Sequence, residues 1–178
     1  PSLKTACRTG RERYKSGMSA APFSRTVDLA GPEATDALAQ LIEPLLRPGD
    51  VLLLDGPVGA GKSHFARALI RARHGAETEV PSPTFTLVQT YGADGDEIWH
   101  SDLYRLSQPD EIVELGLEDA FTTAIALVEW PDRLGSLTPE GALTLAFRST
   151  RDGESRTVTL TGNAGWATRL KPLLETLP

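Results

Sequence analysis

Cysteine is almost absent from this chain: Cys7 stands alone among 178 residues. An internal disulfide is excluded, and no Cys-His pattern with zinc-ligand spacing exists. Nor does any apolar run approach the roughly 18 residues that a membrane helix needs. The longest, around Val51–Leu54 and Ile125–Val128, are of strand length. The amino-terminal stretch lacks the apolar segment of a secretory signal. These absences lead us to expect a cytoplasmic protein. Asparagine is as scarce as cysteine. Asn163, the only one, is followed by Ala-Gly, so no Asn-Lys-x-Asp loop for guanine recognition is present.

Positive charge is also in short supply. Lys and Arg number 18 against 24 Asp and Glu, a net charge of −6. Five of the bases fall within residues 1–17, which hold a single acid, Glu12; residues 18–178 carry 23 acids and 13 bases, a charge of −10. A body this acidic repels phosphate backbones, so any link to nucleic acid is expected to run through another protein. Residues 1–17 read as a disordered extension, with a basic nucleic-acid-binding arm as the sharper alternative. Residues 18–178, with ordinary globular composition and a length within the roughly 100–200 residues of a usual domain, read as one domain.

The order of elements predicts an α/β three-layer sandwich with a mixed sheet of parallel core and antiparallel hairpins. Phe23–Leu29 alternates as a strand. Gly31-Pro32 opens a helix with Ala34, Leu38, Leu41, Ile42, Leu45 and Leu46 on one stripe, stopped by Pro48-Gly49. Val51–Leu54 and Ala124–Val128 have the continuous apolar character of strands covered on both faces. A second helix runs from about Lys62 to His74, with Phe65, Leu69 and Ala72 inward. Thr84–Tyr91 and Glu97–Leu106 form a hairpin about Gly92-Ala93-Asp94-Gly95, and Gln108–Phe121 is helical in one or two pieces. A second hairpin joins the strands around Leu145 and Val158 through Arg151-Asp152-Gly153. The last helix buries Trp166, Leu170, Leu173, Leu174 and Leu177.

Between strand and helix stands Gly56-Pro57-Val58-Gly59-Ala60-Gly61-Lys62-Ser63, which fits G-x-x-x-x-G-K-[ST]. Glycines let the backbone take positive φ, so that successive amides form a phosphate-sized nest at the helix start. Lys62 adds a charge for the β- and γ-phosphates, and the Ser63 hydroxyl is a ligand for Mg2+. Such a site needs acids delivered from neighbouring strand ends. Glu129 directly follows the apolar run Ile125–Val128, where strands of this architecture meet their ligands. Asp102 ends the less apolar Ile98–Ser101.

Thr84, between Pro83 and Phe85, is placed to act as a switch threonine, a β-turn threonine being the plainer alternative. Trp130 either covers the nucleotide or presents a partner surface, core packing being the plainer alternative. His100 reads as a structural hydrogen-bonding group rather than a base. Tyr104 and Arg105 either orient the acidic strand or contact phosphate.

Four motifs in this order, Gly56–Ser63, Ser82-Pro83-Thr84-Phe85, His100-Ser101-Asp102-Leu103-Tyr104-Arg105-Leu106 and Glu129-Trp130-Pro131, resemble the bacterial TsaE (YjeE) ATPases over about Phe23 to Leu160. The resemblance implies an Mg2+-dependent ATPase in the synthesis of N6-threonylcarbamoyladenosine at position 37 of tRNA. It would bind a heterodimer of TsaD and TsaB and touch tRNA only indirectly. It further implies that Gly56, Pro57, Val58, Gly59, Ala60, Gly61, Lys62, Ser63 and Trp130 hold ATP. Ser63, Asp102 and Glu129 would serve the metal, and Thr84, Asp102 and Glu129 the hydrolytic step; which acid positions the water stays open. Ser63 replaces the threonine common at that position and keeps the hydroxyl. A small-molecule or nucleoside kinase is the competing reading, with Arg148, Arg151 and Arg156 imitating a lid.

Overall fold

The computed structural model describes residues 23–93, 95–107, 109–149 and 156–175. In chain order these form β1 (Phe23–Leu29), α1 (Pro32–Ile42), a 3-10 turn (Glu43–Leu45), β2 (Val51–Asp55) and α2 (Lys62–His74). Next come β3 (Val88–Tyr91), β4 (Ile98–Asp102), α3 (Pro109–Glu114), α4 (Leu117–Thr123) and β5 (Ile125–Glu129). A second 3-10 segment (Pro131–Leu137), β6 (Leu143–Ser149), β7 (Arg156–Gly162) and α5 (Ala164–Leu174) complete the order. The predicted extension over residues 1–17, Asp94 of the first hairpin turn, the Arg151-Asp152-Gly153 turn and Leu177 lie outside the described residues.

All seven strands join one sheet in the order β1-β7-β6-β2-β5-β4-β3. β6, β2, β5 and β4 run parallel at the centre, while β7 with β1 on one side and β3 on the other pair antiparallel. This is the expected mixed sheet. The apolar strands supply both faces because successive side chains point to opposite sides. Leu52, Leu54, Ile125 and Leu127 meet Leu38 and Ile42 of α1, Phe65 and Leu69 of α2, and Trp166 and Leu170 of α5. Val51, Leu53, Ala126 and Val128 meet Leu103, Ile112, Leu117 and Leu134 on the other face. Each fully buried Leu or Val stabilises by about 1.5–3 kcal/mol relative to exposure, so the two central strands are the best-anchored part of the fold. Among the described residues, no helix is long and apolar enough to cross a membrane.

Several local expectations need correction. Leu41 is 44% exposed, because α1 buries Thr35, Leu38, Ala39 and Ile42 and Leu41 falls beyond the edge of that face. Ala72 is exposed for the same reason, since α2 buries Phe65, Ala66, Leu69 and Ile70. The strand expected from Thr84 begins only at Val88. Residues 83–86 form a turn closed by Leu87 N–H donating to the Pro83 carbonyl at 2.7 Å, and Thr84 is tied by its side chain to β4 rather than entering the ladder.

β4 likewise stops short of Leu106. The Tyr104 amide donates to Asp102 Oδ1 at 2.9 Å, a local turn that takes the chain out of the sheet. The helical stretch after it breaks at Gly116, φ 72, into α3 and α4, one of the two forms expected. In α5, Trp166, Leu170 and Leu173 are buried, while Leu174 only packs partly against the core.

Candidate functional site

The glycine loop occupies the gap between the end of β2 and the start of α2. Gly56 has φ 142, and a Cβ there would stand 2.5 Å from the Phe147 carbonyl oxygen of β6, so only glycine lets the loop leave the sheet this close to its neighbour. Gly61, φ 111, precedes α2 without any side-chain cap, which leaves the first helical amides unclaimed by a capping group. Ala60 turns inward and packs in the core, whereas Val58 is 79% exposed at the rim.

Lys62, the first residue of α2, is nonetheless buried. Its Nζ donates to the carbonyls of Gly56 at 2.6 Å and Pro57 at 2.9 Å, and it sits 4.2 Å from the centroid of the Trp130 ring. Burial pushes its pKa below the ordinary lysine value, opposed by the charges of Glu129, Asp102 and Asp55. Loss of hydration outweighs those three acids.

Facing the loop are the carboxyl ends of β4 and β5. Asp102 and Glu129 are register partners across these parallel strands, and both are buried. Ser63 Oγ donates to Glu129 Oε2 at 2.8 Å, and the second Glu129 oxygen lies 2.9 Å from His100 Nε2. Thr84 Oγ1 donates to Asp102 Oδ2 at 2.7 Å and also lies 2.9 Å from Ser82 Oγ. Trp130 has φ 61, and with Leu87 at φ 64 it is one of two non-glycine residues with positive φ among those described. Such conformations cost about 1–3 kcal/mol, and both fall beside this cluster. The turn at Trp130 lays its ring 4.9 Å from that of Tyr104.

The result is a cavity of about 240 Å3 lined by Val58, Gly59, Lys62, Ser63, Thr84, Asp102, Tyr104, Glu129 and Trp130. Segments separated by up to 72 positions in sequence, from Val58 to Trp130, thus meet in one cleft. Its lining offers oxygen donors rather than sulfur or imidazole, the set a hard divalent cation takes when phosphate oxygens and water complete the shell. Among the described residues there is no cluster of three or more His, Cys, Asp or Glu side chains able to hold a metal unaided.

Two neighbours of the cleft are not marked by the sequence as part of it. His100 shares a strand face with Asp102 by simple alternation, and that spacing is the available signal. Arg156, at the start of β7, lies with its Cδ 3.7 Å from where a Cβ on Gly61 would stand. With Pro32 and His64 it lines an adjoining cavity of about 310 Å3 that shares Gly59, Lys62 and Ser63 with the cleft. Arg148 points elsewhere, pairing with Asp55 at 2.9 Å, and Arg151 lies outside the described residues.

The family model described as "Threonylcarbamoyl adenosine biosynthesis protein TsaE" matches residues 29–158. The chain is similar to the tRNA threonylcarbamoyladenosine biosynthesis protein TsaE of Rickettsia conorii, 47% identical over 100 residues, covering 56% of this chain and 57% of that protein. The match therefore spans little more than half of that relative. The Bacillus subtilis protein of the same name is 36% identical over 141 residues, covering 78% of this chain and 85% of its own. The fold is similar to the crystal structure of Bacillus subtilis YdiB, with a TM-score of 0.69 and 26% identity over 88% of this chain and 97% of that one. By the match of the family model over residues 29–158 and its likeness to these relatives, the chain belongs to the TsaE family.

Proposed function

We propose that this chain is an Mg2+-dependent ATPase of tRNA N6-threonylcarbamoyladenosine biosynthesis that acts by nucleotide-controlled binding to the TsaB-TsaD complex. The observation that carries this reading is the convergence of Lys62, Ser63, Thr84, Asp102 and Glu129 on one cleft beside a glycine loop at a helix start. Loop amides and the Lys62 ammonium hold the β- and γ-phosphates, where fixed N–H dipoles and one full charge meet developing negative charge. Mg2+, when bound, supplies charge neutralisation between those phosphates. Ser63 would serve as its protein ligand, Asp102 and Glu129 would hold it directly or through water, and one of these two acids would position the attacking water. Thr84, tethered to Asp102, couples the turn over residues 83–86 to the contents of the cleft. Trp130 and Tyr104 close its side. The names of the relatives place those proteins in tRNA threonylcarbamoyladenosine synthesis, and the acidic composition of this chain favours contact with tRNA through partners.

Among the described residues a kinase reading draws only on Arg156, since Arg148 is held by Asp55. The deciding experiment mixes the purified chain with TsaB-TsaD, measures association with and without ATP, and follows phosphate release. ATP-dependent association and hydrolysis that falls at least tenfold in Asp102→Ala or Glu129→Ala, with ATP binding retained, is the expected result. Transfer of the γ-phosphate to a small acceptor would favour the kinase. Association indifferent to nucleotide would sink the proposed mode of action.

A further inference from the structure

His100 is 1% exposed, sits two residues before Asp102 on β4, and makes one polar side-chain contact, to Glu129. That contact decides its tautomer. A carboxylate oxygen can only accept, so Nε2 carries the proton donated to Oε1 at 2.9 Å. Nδ1 is buried with no hydrogen-bond partner, so the ring is anchored through Nε2 alone.

Glu129 is therefore pinned at both ends of its carboxylate, by Ser63 from α2 and by His100 from β4. One hydrogen bond would leave the terminal torsion of a glutamate poorly fixed, because that torsion is broad and nearly two-fold. Two bonds from different elements set the plane of the group. We propose that His100 is a positioning residue for Glu129, holding Oε2 toward Ser63 and the cleft. This rests on the reading of Glu129 as an acid that orders Mg2+ or its water. Hydrogen-bond partners standing behind metal-associated carboxylates typically change affinity or activity by about 10–100-fold when removed.

The test uses the full chain with His100→Leu, His100→Gln and His100→Asn. Glutamine can present an N–H near the position of Nε2, whereas asparagine is one bond too short. We expect His100→Leu and His100→Asn to lower kcat for ATP hydrolysis about 10–100-fold and to raise the Mg2+ concentration needed for half-maximal ATP binding, followed by tryptophan fluorescence. Affinity for ATP without Mg2+ should stay within about twofold, and His100→Gln should recover most of the loss. Independently of activity, ring 15N shifts of the nucleotide-free protein should show the proton on Nε2, with the Nε2–H signal moving in Glu129→Gln.

If His100→Leu does not fold, the glutamine and asparagine variants still decide the matter. Equal impairment of these two, or an Nδ1–H tautomer, overturns the positioning role. A wild-type chain that hydrolyses ATP beside equally active variants does the same while leaving the ATPase reading intact. A wild-type chain with no Mg2+-dependent ATP binding or hydrolysis overturns both.

Discussion

Asp102 and Glu129 stand opposite each other in the register of β4 and β5, yet each is held by a different part of the chain. Thr84 and the Tyr104 amide take the two oxygens of Asp102, and Ser63 and His100 take those of Glu129. The strands thus supply the position of the acids, and four separate residues supply their orientation.

The loop's departure from the sheet gives the first prediction. Gly56→Ala combines a positive φ with a Cβ set 2.5 Å from the Phe147 carbonyl oxygen. Strain and overpacking together should cost about 3 kcal/mol or more, lowering Tm by about 6–12 °C. Gly59→Ala, with φ 77 but nothing within 4 Å, should cost only about 1 kcal/mol. Thermal unfolding of the two variants checks the contrast, and equal losses would contradict the close approach at Gly56.

Removing the buried ammonium tests the phosphate-gripping role. Lys62→Ala should weaken MgATP binding about 10–150-fold, the equivalent of losing one charged hydrogen bond of about 1.5–3 kcal/mol. Isothermal titration calorimetry measures it directly, and an unchanged affinity would remove Lys62 from the site.

The same lysine should leave a mark on stability. Its pKa is lowered in the folded chain, so at neutral pH the folded state carries the cost of a desolvated charge. The unfolded chain binds the proton more tightly, so that cost shrinks as pH rises through the folded value toward the ordinary lysine one. The stability of the wild type relative to Lys62→Met should accordingly rise between pH 7 and pH 10, as read by urea denaturation of nucleotide-free protein. A flat or falling difference would mean that the carbonyls and nearby acids fully compensate burial.

Thr84→Val keeps the branched shape and removes the hydroxyl that donates to Asp102 at 2.7 Å. The Leu87 amide, which closes the turn, should exchange about tenfold faster or more, and hydrolysis should fall further than nucleotide binding. Thr84→Ser should restore both. Hydrogen-exchange mass spectrometry of the peptide over residues 82–88 decides, and unchanged protection would show that the turn is held by its backbone alone.

Most of the scaffold is legible in the sequence because its cause is local. The runs Val51–Leu54 and Ile125–Val128 have no polar residue to expose, and the glycine loop between a strand and a helix carries its own geometry. The acids at the strand ends belong to the same pattern. The turn over residues 83–86 does not, because β-branched and aromatic residues favour a strand, and the long-range bond from Thr84 to Asp102 acts against that preference together with the local Leu87–Pro83 bond. His100 is recognisable as a hydrogen-bonding residue but not by its partner, since nothing short of the β4–β5 register pairs it with Glu129. Leu41 and Ala72 read as inward because a stripe of apolar residues is wider than the face that actually packs.

A hydroxyl has one proton and two lone pairs, and Ser63 commits its proton to Glu129. Toward the cleft it can therefore only offer electrons, which makes it inhospitable to a phosphate oxygen and welcoming to a cation. In the proposed function, adjacent positions of one helical turn would in this way be sorted by sign: Lys62 would answer anions and Ser63 metal, with a single glutamate enforcing the division.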